Sequence, residues 1–481
     1  MSFNSSRRQR SAEAPGEPGL LVGIYLFEAA ALVTALALNR YYNLLGSLTT
    51  RQAAVLWVPL AICLASGAYV ALRFQRARSS DPRLLAFAIA MNLVAVILVF
   101  VGSELAVRAF SESTFAGVSF SGTLLLPKDW EDVKARHLEI LAQVPPELSH
   151  LVADDFLGWA PGRSRRSSNG LYSSSVEGIR SSEAGISLAS RAVGQRVAIV
   201  GDSFTFGLEV LFEDSWGAVL ERTPGSNLAV LNLGVDGYGV DQALLRYERD
   251  GRGWKPAVAI LGFIEHDLHR TLSVYPFVTF PEWGLPFAKP RFVLKNGGLE
   301  RLTDRLASPT LIMTEPAIDD LPFIAHDPGF KPDEWDHHWY HASYAVRFLL
   351  SRFRRWPSLN QETYYGELER LNVALVSRFI NVAKADGTIP LIVFFPARND
   401  FTQGDHPARD PVLAALRRAG VEYTDLTSCV GALGEKAFIP GRPHYSAAGN
   451  AAVATCLLPV VRQALMREQD ETRTTAGRRL D

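Results

Sequence analysis

Three apolar stretches in the first quarter of the chain constrain its folding more than any other feature. Gly19–Leu38, Ala53–Leu72 and Leu84–Ala106 each approach the roughly 20 apolar residues that carry a helix across hydrocarbon. Arg7, Arg8 and Arg10 precede the first stretch, and Arg73, Arg76, Arg78 and Arg83 lie between the second and third. The intervening loop holds only Arg40 and Arg51, and Arg108 follows the third stretch. Cytoplasmic loops carry the excess of Lys and Arg. The asymmetry therefore predicts a cytoplasmic N-terminus and places everything after about Arg108 on the extracytoplasmic, periplasmic side. No basic–apolar–small cleavage pattern closes the first stretch, which predicts a retained multi-pass anchor. Glu28 falls near the middle of the first span, where a carboxylate is costly and marks an interhelical partner or a water-filled path. A protonated Glu28 packed against Ser66 or Asn92 is the plainer alternative.

A chain of 481 residues exceeds one ordinary domain. Its formal net charge is −1, without a dense basic face, so nucleic-acid binding has no electrostatic basis. The cysteines are Cys63, Cys429 and Cys456, and the absence of a CxxC pair speaks against a zinc ribbon or a thioredoxin-like site. Cys429 and Cys456 fall in the extracytoplasmic part, where a disulfide can persist. Two buried thiols are an equally good reading.

The pattern divides the chain into a membrane region over 1–108, a connecting region over 109–194, an α/β domain over 195–465 and a polar tail over 466–481. The connecting region includes the Ser/Arg/Gly-rich stretch Gly162–Ser190, which reads as turns and short strands. From Gln195 short apolar runs alternate with helical segments, the pattern of a parallel sheet. Strands are expected at Val197–Val200, Ala229–Leu233, Ala257–Gly262, Pro390–Phe395 and Val421–Asp425. The fold class is thus α/β: a three-layer sandwich of about five parallel strands, its active groups at the strands' carboxyl ends. An aromatic- and Pro-rich insertion over about 271–358 reads as a cap. The tail reads as disordered.

The chemistry begins at Val197–Gly207, where an apolar strand ends in Gly201-Asp202-Ser203. Such a turn lifts the Ser203 hydroxyl to the sheet edge and aims the next helix's N–H groups at an oxyanion. A Ser capping an ordinary strand–helix turn is the competing reading. After the second strand Gly234 lets the backbone approach a ligand and offer an N–H. Glu265-His266-Asp267 follows the third strand, and His444 stands before the last apolar helix. A histidine there can reach Ser203 and take its proton.

Strand-Gly-Asp-Ser, a glycine loop, a Gly…Asp block and a late His occur in the order of the SGNH/GDSL hydrolases, and residues 195–465 resemble that family. The resemblance implies a flavodoxin-like fold, Ser203 as nucleophile and His444 as general base. It also implies oxyanion donors at the Ser203 and Gly234 N–H groups, with Asp202 and Asp267 in support. The whole chain is similar to bacterial membrane-bound members in which about three spans precede an extracytoplasmic domain. Two positions depart from the family. His266 stands where an Asn side chain normally joins the oxyanion hole, a role a ring N–H can take over. Gly441 stands three residues before His444, where the acid normally lies. Either a backbone carbonyl orients His444 or an acid comes from elsewhere, and Asp425 is the first candidate.

His337 and His341 stand one helical turn apart, a spacing that suits a metal. No glutamate lies between them, and Trp335, Trp339 and Tyr340 make an aromatic cap surface the preferred reading. No metal or cofactor is expected. The expected function is that of a membrane-anchored esterase or O-acyltransferase. Its partners are the lipid bilayer and an ester substrate, preferably small acyl groups on a cell-envelope polysaccharide. The alternatives are a binding or assembly module weakened by the loss of the acid, and a lipid-directed esterase.

Overall fold

The computed structural model describes residues 82–190, 194–352, 361–401, 404 and 406–477. The first two expected spans, with Glu28 and Cys63, lie outside the described residues. The chain divides into two compact units, Met1–Asp129 with Asp333–Arg355, and Trp130–Pro332 with Trp356–Asp481.

In the first unit one continuous helix, Pro82–Ala109, covers the third expected span. Among the described residues no helix is long and apolar enough to cross a membrane. The third expected span is therefore a helix without the length and apolarity of a membrane crossing, and the other two lie outside the described residues. Beyond the helix, three short antiparallel strands run between Ser111 and Leu124. The helix Tyr344–Arg352, drawn from the insertion, joins this unit. Its first N–H groups lack intrahelical acceptors, and Glu104 supplies them: its carboxylate accepts from Tyr344 N (3.1 Å) and Ala345 N (2.9 Å). The insertion is thus no single cap, because residues 333–352 fold with the chain's first part. His337 Nε2 lies 2.9 Å from the Lys128 carbonyl, a contact across 209 residues, and His341 Nδ1 accepts the His338 N–H within its own turn, so both rings engage backbone groups.

The second unit is built on a seven-stranded sheet. In chain order its strands are β1 (Ser173–Ser174), β2 (Arg180–Ser181), β3 (Gln195–Val200), β4 (Leu228–Asn232), β5 (Val258–Phe263), β6 (Ile389–Phe394) and β7 (Thr424–Asp425). The spatial order is β7-β6-β5-β3-β4-β2-β1. The five strands β3 to β7 are parallel and match the five expected, the last one shortened to two residues. β1 and β2 come from the connecting region and add an antiparallel edge, so that region is part of the sheet.

Successive side chains of a strand point to opposite faces, and β3 feeds both sides of the sheet in this way. Val197 and Ile199 pack toward helices α2 (Trp216–Arg222) and α7 (Ala447–Gly477), while Ala198 and Val200 pack toward α3 (Val240–Arg246), α5 (Gln361–Ala385) and α6 (Arg409–Arg418). The result is the three layers expected from the sequence. The closing helix runs to Gly477, so the segment after 465 continues a helix instead of forming a loose tail. Helix α1 (Ser203–Phe206) leaves β3, and α4 (Glu265–Arg270) leaves β5. With β4 on one side of β3 and β5 on the other, the strand order reverses at β3. The chains leaving these strands diverge there and open a crevice at their carboxyl ends.

Candidate active site

Burial and capping place Ser203. Helix α1 is capped by Asp202, whose Oδ1 accepts from Phe204 N (2.9 Å) and Thr205 N (3.4 Å). The Phe206 N–H goes to the Asp202 carbonyl. The cap is therefore Asp202, not Ser203, and the Ser203 hydroxyl is spared that task. The first N–H groups of a helix have no partner within it, which leaves the Ser203 N–H beside its own hydroxyl. Gly201 is required by close approach: a Cβ there would lie 2.2 Å from Thr205 Oγ1 and 2.5 Å from the Gly262 carbonyl.

His444 is brought to Ser203 by its neighbours. Tyr445 is buried, donates its hydroxyl to the Pro396 carbonyl (2.6 Å), and packs edge-on against Phe204 at 4.8 Å. Arg398 donates to the Ile439 and Arg442 carbonyls and fastens the same turn. The two aromatic residues that follow Ser203 and His444 in sequence thus set the gap between them. His444 Nε2 lies 3.0 Å from Ser203 Oγ, and Nδ1 lies 2.8 Å from Glu209 Oε2. A carboxylate only accepts, so Nδ1 carries the proton and Nε2 is left as the acceptor for the serine hydroxyl. The hydrogen bond from His444 holds the Glu209 carboxyl below its ordinary range, with Arg442 adding to the effect.

Glu209 is thus the carboxylate at His444, and the expectation for Asp425 is corrected. Asp425 sits exposed on β7, where its Oδ1 accepts the Thr427 N–H. Sequence reading missed Glu209 because it looked next to the histidine. Glu209 lies instead on the turn after the nucleophile's own helix, in a left-handed conformation (φ 64°) with Leu208 before it and Val210 after it. A carboxylate between two apolar residues just after the Gly-Asp-Ser helix is the only signal the sequence offers.

Gly234 takes a different part from the one expected. Its N–H donates to Asn232 Oδ1 (3.1 Å), so in this arrangement it is not offered to a ligand. A Cβ at Gly234 would lie 2.5 Å from Phe206 N, so the glycine is needed for α1 to pack against this loop. Asn232 Nδ2 donates to the Thr205 and Phe206 carbonyls and ties the same elements together.

His266, Ser203 and His444 all line one cavity of about 580 Å³. His266 is exposed at the cavity; desolvation and the nearby Arg270 charge act to lower its ring's pKa, and a neutral ring offers one N–H. Asp267 points the other way, accepting from Ile264 N (3.0 Å) and from Arg270 Nη1 (2.6 Å). Asp202 lies beside it, with Oδ2 3.6 Å from Arg270 Nη1 and 3.5 Å from Ser203 Oγ. Burial raises both carboxyls, and the charge of Asp202 raises Asp267 further. Two carboxyls held together by one guanidinium share a proton more readily than they ionise twice. Asp236, Glu282, Arg398 and Arg442 also line the cavity, together with Leu148, Leu208, Trp283 and Leu285. Burial raises the Asp236 carboxyl.

A doubly wound parallel sheet with a Ser–His–Glu relay at its switch point defines the class of site. No protein-family model and no curated protein matches the chain. Among solved structures it is similar to a putative lipolytic protein of the G-D-S-L family from Desulfitobacterium hafniense (14% identity, 55% of this chain and 99% of that one, TM-score 0.28). It is also similar to a member of the lipolytic G-D-S-L family from Veillonella parvula (11% identity, 55% and 97%, TM-score 0.28). A third is a carbohydrate acetylesterase family member from Sinorhizobium meliloti (14% identity, 56% and 99%, TM-score 0.26). At these identities and TM-scores the functional reading rests on the geometry of the site.

Proposed function

We propose that this chain is a serine esterase or O-acyltransferase acting through Ser203, His444 and Glu209. The observation that carries the reading is the unbroken relay of 3.0 Å and 2.8 Å from Ser203 Oγ through the imidazole to a carboxylate. Ser203 Oγ attacks an acyl carbonyl carbon while its proton passes to His444 Nε2. Glu209 stabilises the imidazolium, and the Ser203 N–H with the His266 ring N–H holds the oxyanion. On collapse His444 protonates the departing alkoxide and leaves an acyl-serine. Water or an acceptor hydroxyl then attacks that ester, gives its proton to His444, and Ser203 recovers the proton as it leaves.

Asp236, Glu282, Arg398 and Arg442 in the cavity lining can hydrogen-bond a hydroxyl-rich acceptor, while Leu148, Leu208, Trp283 and Leu285 beside them offer an apolar wall to an acyl group. Small acyl groups on a glycan remain the preferred substrate and a lipid ester the alternative, to be separated by comparing short-chain with long-chain acyl esters. The weakened-module reading drew on the missing acid before His444, and Glu209 removes that ground.

The anchored, extracytoplasmic location belongs to the same proposal. The apolar stretches and Arg asymmetry support it, as do Phe87, Leu98 and Leu105 exposed by more than 60% on the helix Pro82–Ala109. The Cys429–Cys456 disulfide favours an oxidising compartment. The test is covalent labelling of the full chain in detergent by a fluorophosphonate, with turnover of short-chain nitrophenyl esters. Ser203→Ala should abolish both. Labelling or turnover unchanged in Ser203→Ala would overturn the reading.

A further inference from the structure

The turn that carries Glu209 is held by residues lying upstream of the parallel sheet. At φ 64° the residue occupies a conformation unfavourable to any side chain with a Cβ, and such conformations persist only where the surroundings impose them. On its N-terminal side the Gly207 and Leu208 N–H groups both donate to the Ser203 carbonyl. On its other side two side chains from the former connecting region take over. The Tyr172 hydroxyl accepts the Glu209 N–H at 3.0 Å, and Arg180 Nη2 donates to the Val210 carbonyl at 2.8 Å.

These two side chains are themselves fixed against the nucleophile's helix. Both are buried to within 2%. The Arg180 guanidinium lies 4.2 Å from the Phe206 ring, and the Tyr172 ring packs edge-on against Phe206 at 5.3 Å and against His150 at 4.7 Å. Phe206 ends the helix that begins at Ser203, and Arg180 pairs with Asn232 at the sheet edge. One packed group therefore registers the serine and the carboxylate against each other.

We propose that Tyr172 is a positioning residue: its hydroxyl holds the Glu209 backbone in the one conformation that lays the carboxylate on His444 Nδ1, while Arg180 holds the next peptide. The inference rests on the Ser–His–Glu reading above. It makes the segment Tyr172–Ser181 part of the catalytic apparatus.

The test uses the full chain in detergent, reading the rate of fluorophosphonate labelling together with kcat and KM on a short-chain ester. Tyr172→Phe keeps the ring and removes the hydroxyl. It should lower kcat and the labelling rate about ten-fold, the scale of one lost hydrogen bond, with KM within about two-fold. In a Glu209→Gln background the same change should cost almost nothing, because the residue it positions is already disabled. Arg180→Lys, which keeps the charge but loses the fork, should show the same dependence on Glu209. Tyr172→Phe at the wild-type rate, or an equal loss in both backgrounds, overturns the inference. A wild-type chain that the probe does not label sinks the Ser–His–Glu reading, and this inference with it.

Discussion

His444 Nδ1 and Glu209 Oε2 lie 2.8 Å apart although 235 residues separate them in the chain. The acid thus belongs to the element that carries the nucleophile, and the base arrives alone on the loop before the last helix. Glu209 follows α1 on the turn held by Tyr172 and Arg180, so the relay depends on that turn and on the placement of the 439–444 turn. That turn hangs on Arg398 and Tyr445.

The two carboxylates proposed for the role separate cleanly. Glu209→Gln removes the anion from His444 and should lower kcat by about 10²–10⁴, the upper figure being the cost of neutralising the acid of a serine-protease triad. Asp425→Asn should leave kcat within about two-fold, since that side chain caps Thr427. Steady-state kinetics on a nitrophenyl ester checks both. The reverse ranking would return the acid to Asp425.

His266 tests the oxyanion hole. Loss of one such donor typically costs about 10²–10³ in kcat, so His266→Ala should fall in that range with KM little moved. His266→Asn restores an N–H and should recover most of the rate. Because desolvation and the Arg270 charge lower His266 below the usual imidazole range, an acid limb of kcat/KM near neutral pH belongs to another group. His266→Asn must leave that limb in place, and a limb that moves would show His266 titrating in the reaction.

The buried carboxyl pair predicts a direction for stability against pH. Asp202 and Asp267 are both raised, so the folded state favours their protonated forms more than the unfolded chain does. Their contribution is complete below the ordinary carboxylate range and is lost as pH climbs through the raised values. Asp267→Asn leaves Asp202 and Arg270 as a balanced pair. Its Tm should therefore fall less than the wild type's as pH rises above the ordinary carboxylate range, by roughly 3 °C for each kcal/mol of linkage removed. Parallel slopes in the two proteins would show that the pair shares no proton.

The parallel sheet was legible because its strands are apolar runs separated by helical periods, a local pattern that tertiary packing only confirms. Ser203 and His444 were legible for the same reason, each next to a recognisable element end. Glu209 was not, since nothing local marks a left-handed glutamate as the partner of a histidine 235 residues away. Tyr172 and Arg180 were hidden by composition: β1 and β2 are two residues each, too short to show alternation in a Ser/Arg/Gly-rich stretch. The Gly234 N–H was assigned from chain order, and only the fold shows the Asn232 side chain reaching it first. The boundary at 108 that the sequence pattern draws suggests that the chain could be cut just after it. The Glu104 cap on the helix Tyr344–Arg352 means that such a cut would divide a packed unit.

Cys429 and Cys456 form a disulfide across a separation of 27 residues, and the closed loop contains the whole His444 turn. By the chain-entropy model a loop of this length contributes about 3–4 kcal/mol to stability. Replacing both cysteines with Ser should lower the thermal midpoint of the full chain by roughly 6–16 °C, at about 2–4 °C per kcal/mol. Because the bond closes the segment that presents His444, activity should be lost at a lower temperature along with the fold. Alkylation of the unreduced, denatured protein followed by mass measurement checks the bond itself. Neither residue should be modified before reduction, and both should be after it. Three alkylated cysteines in unreduced protein, where the bond leaves only Cys63 to react, would remove the bond, and with it the support that the disulfide lends to an oxidising, extracytoplasmic location.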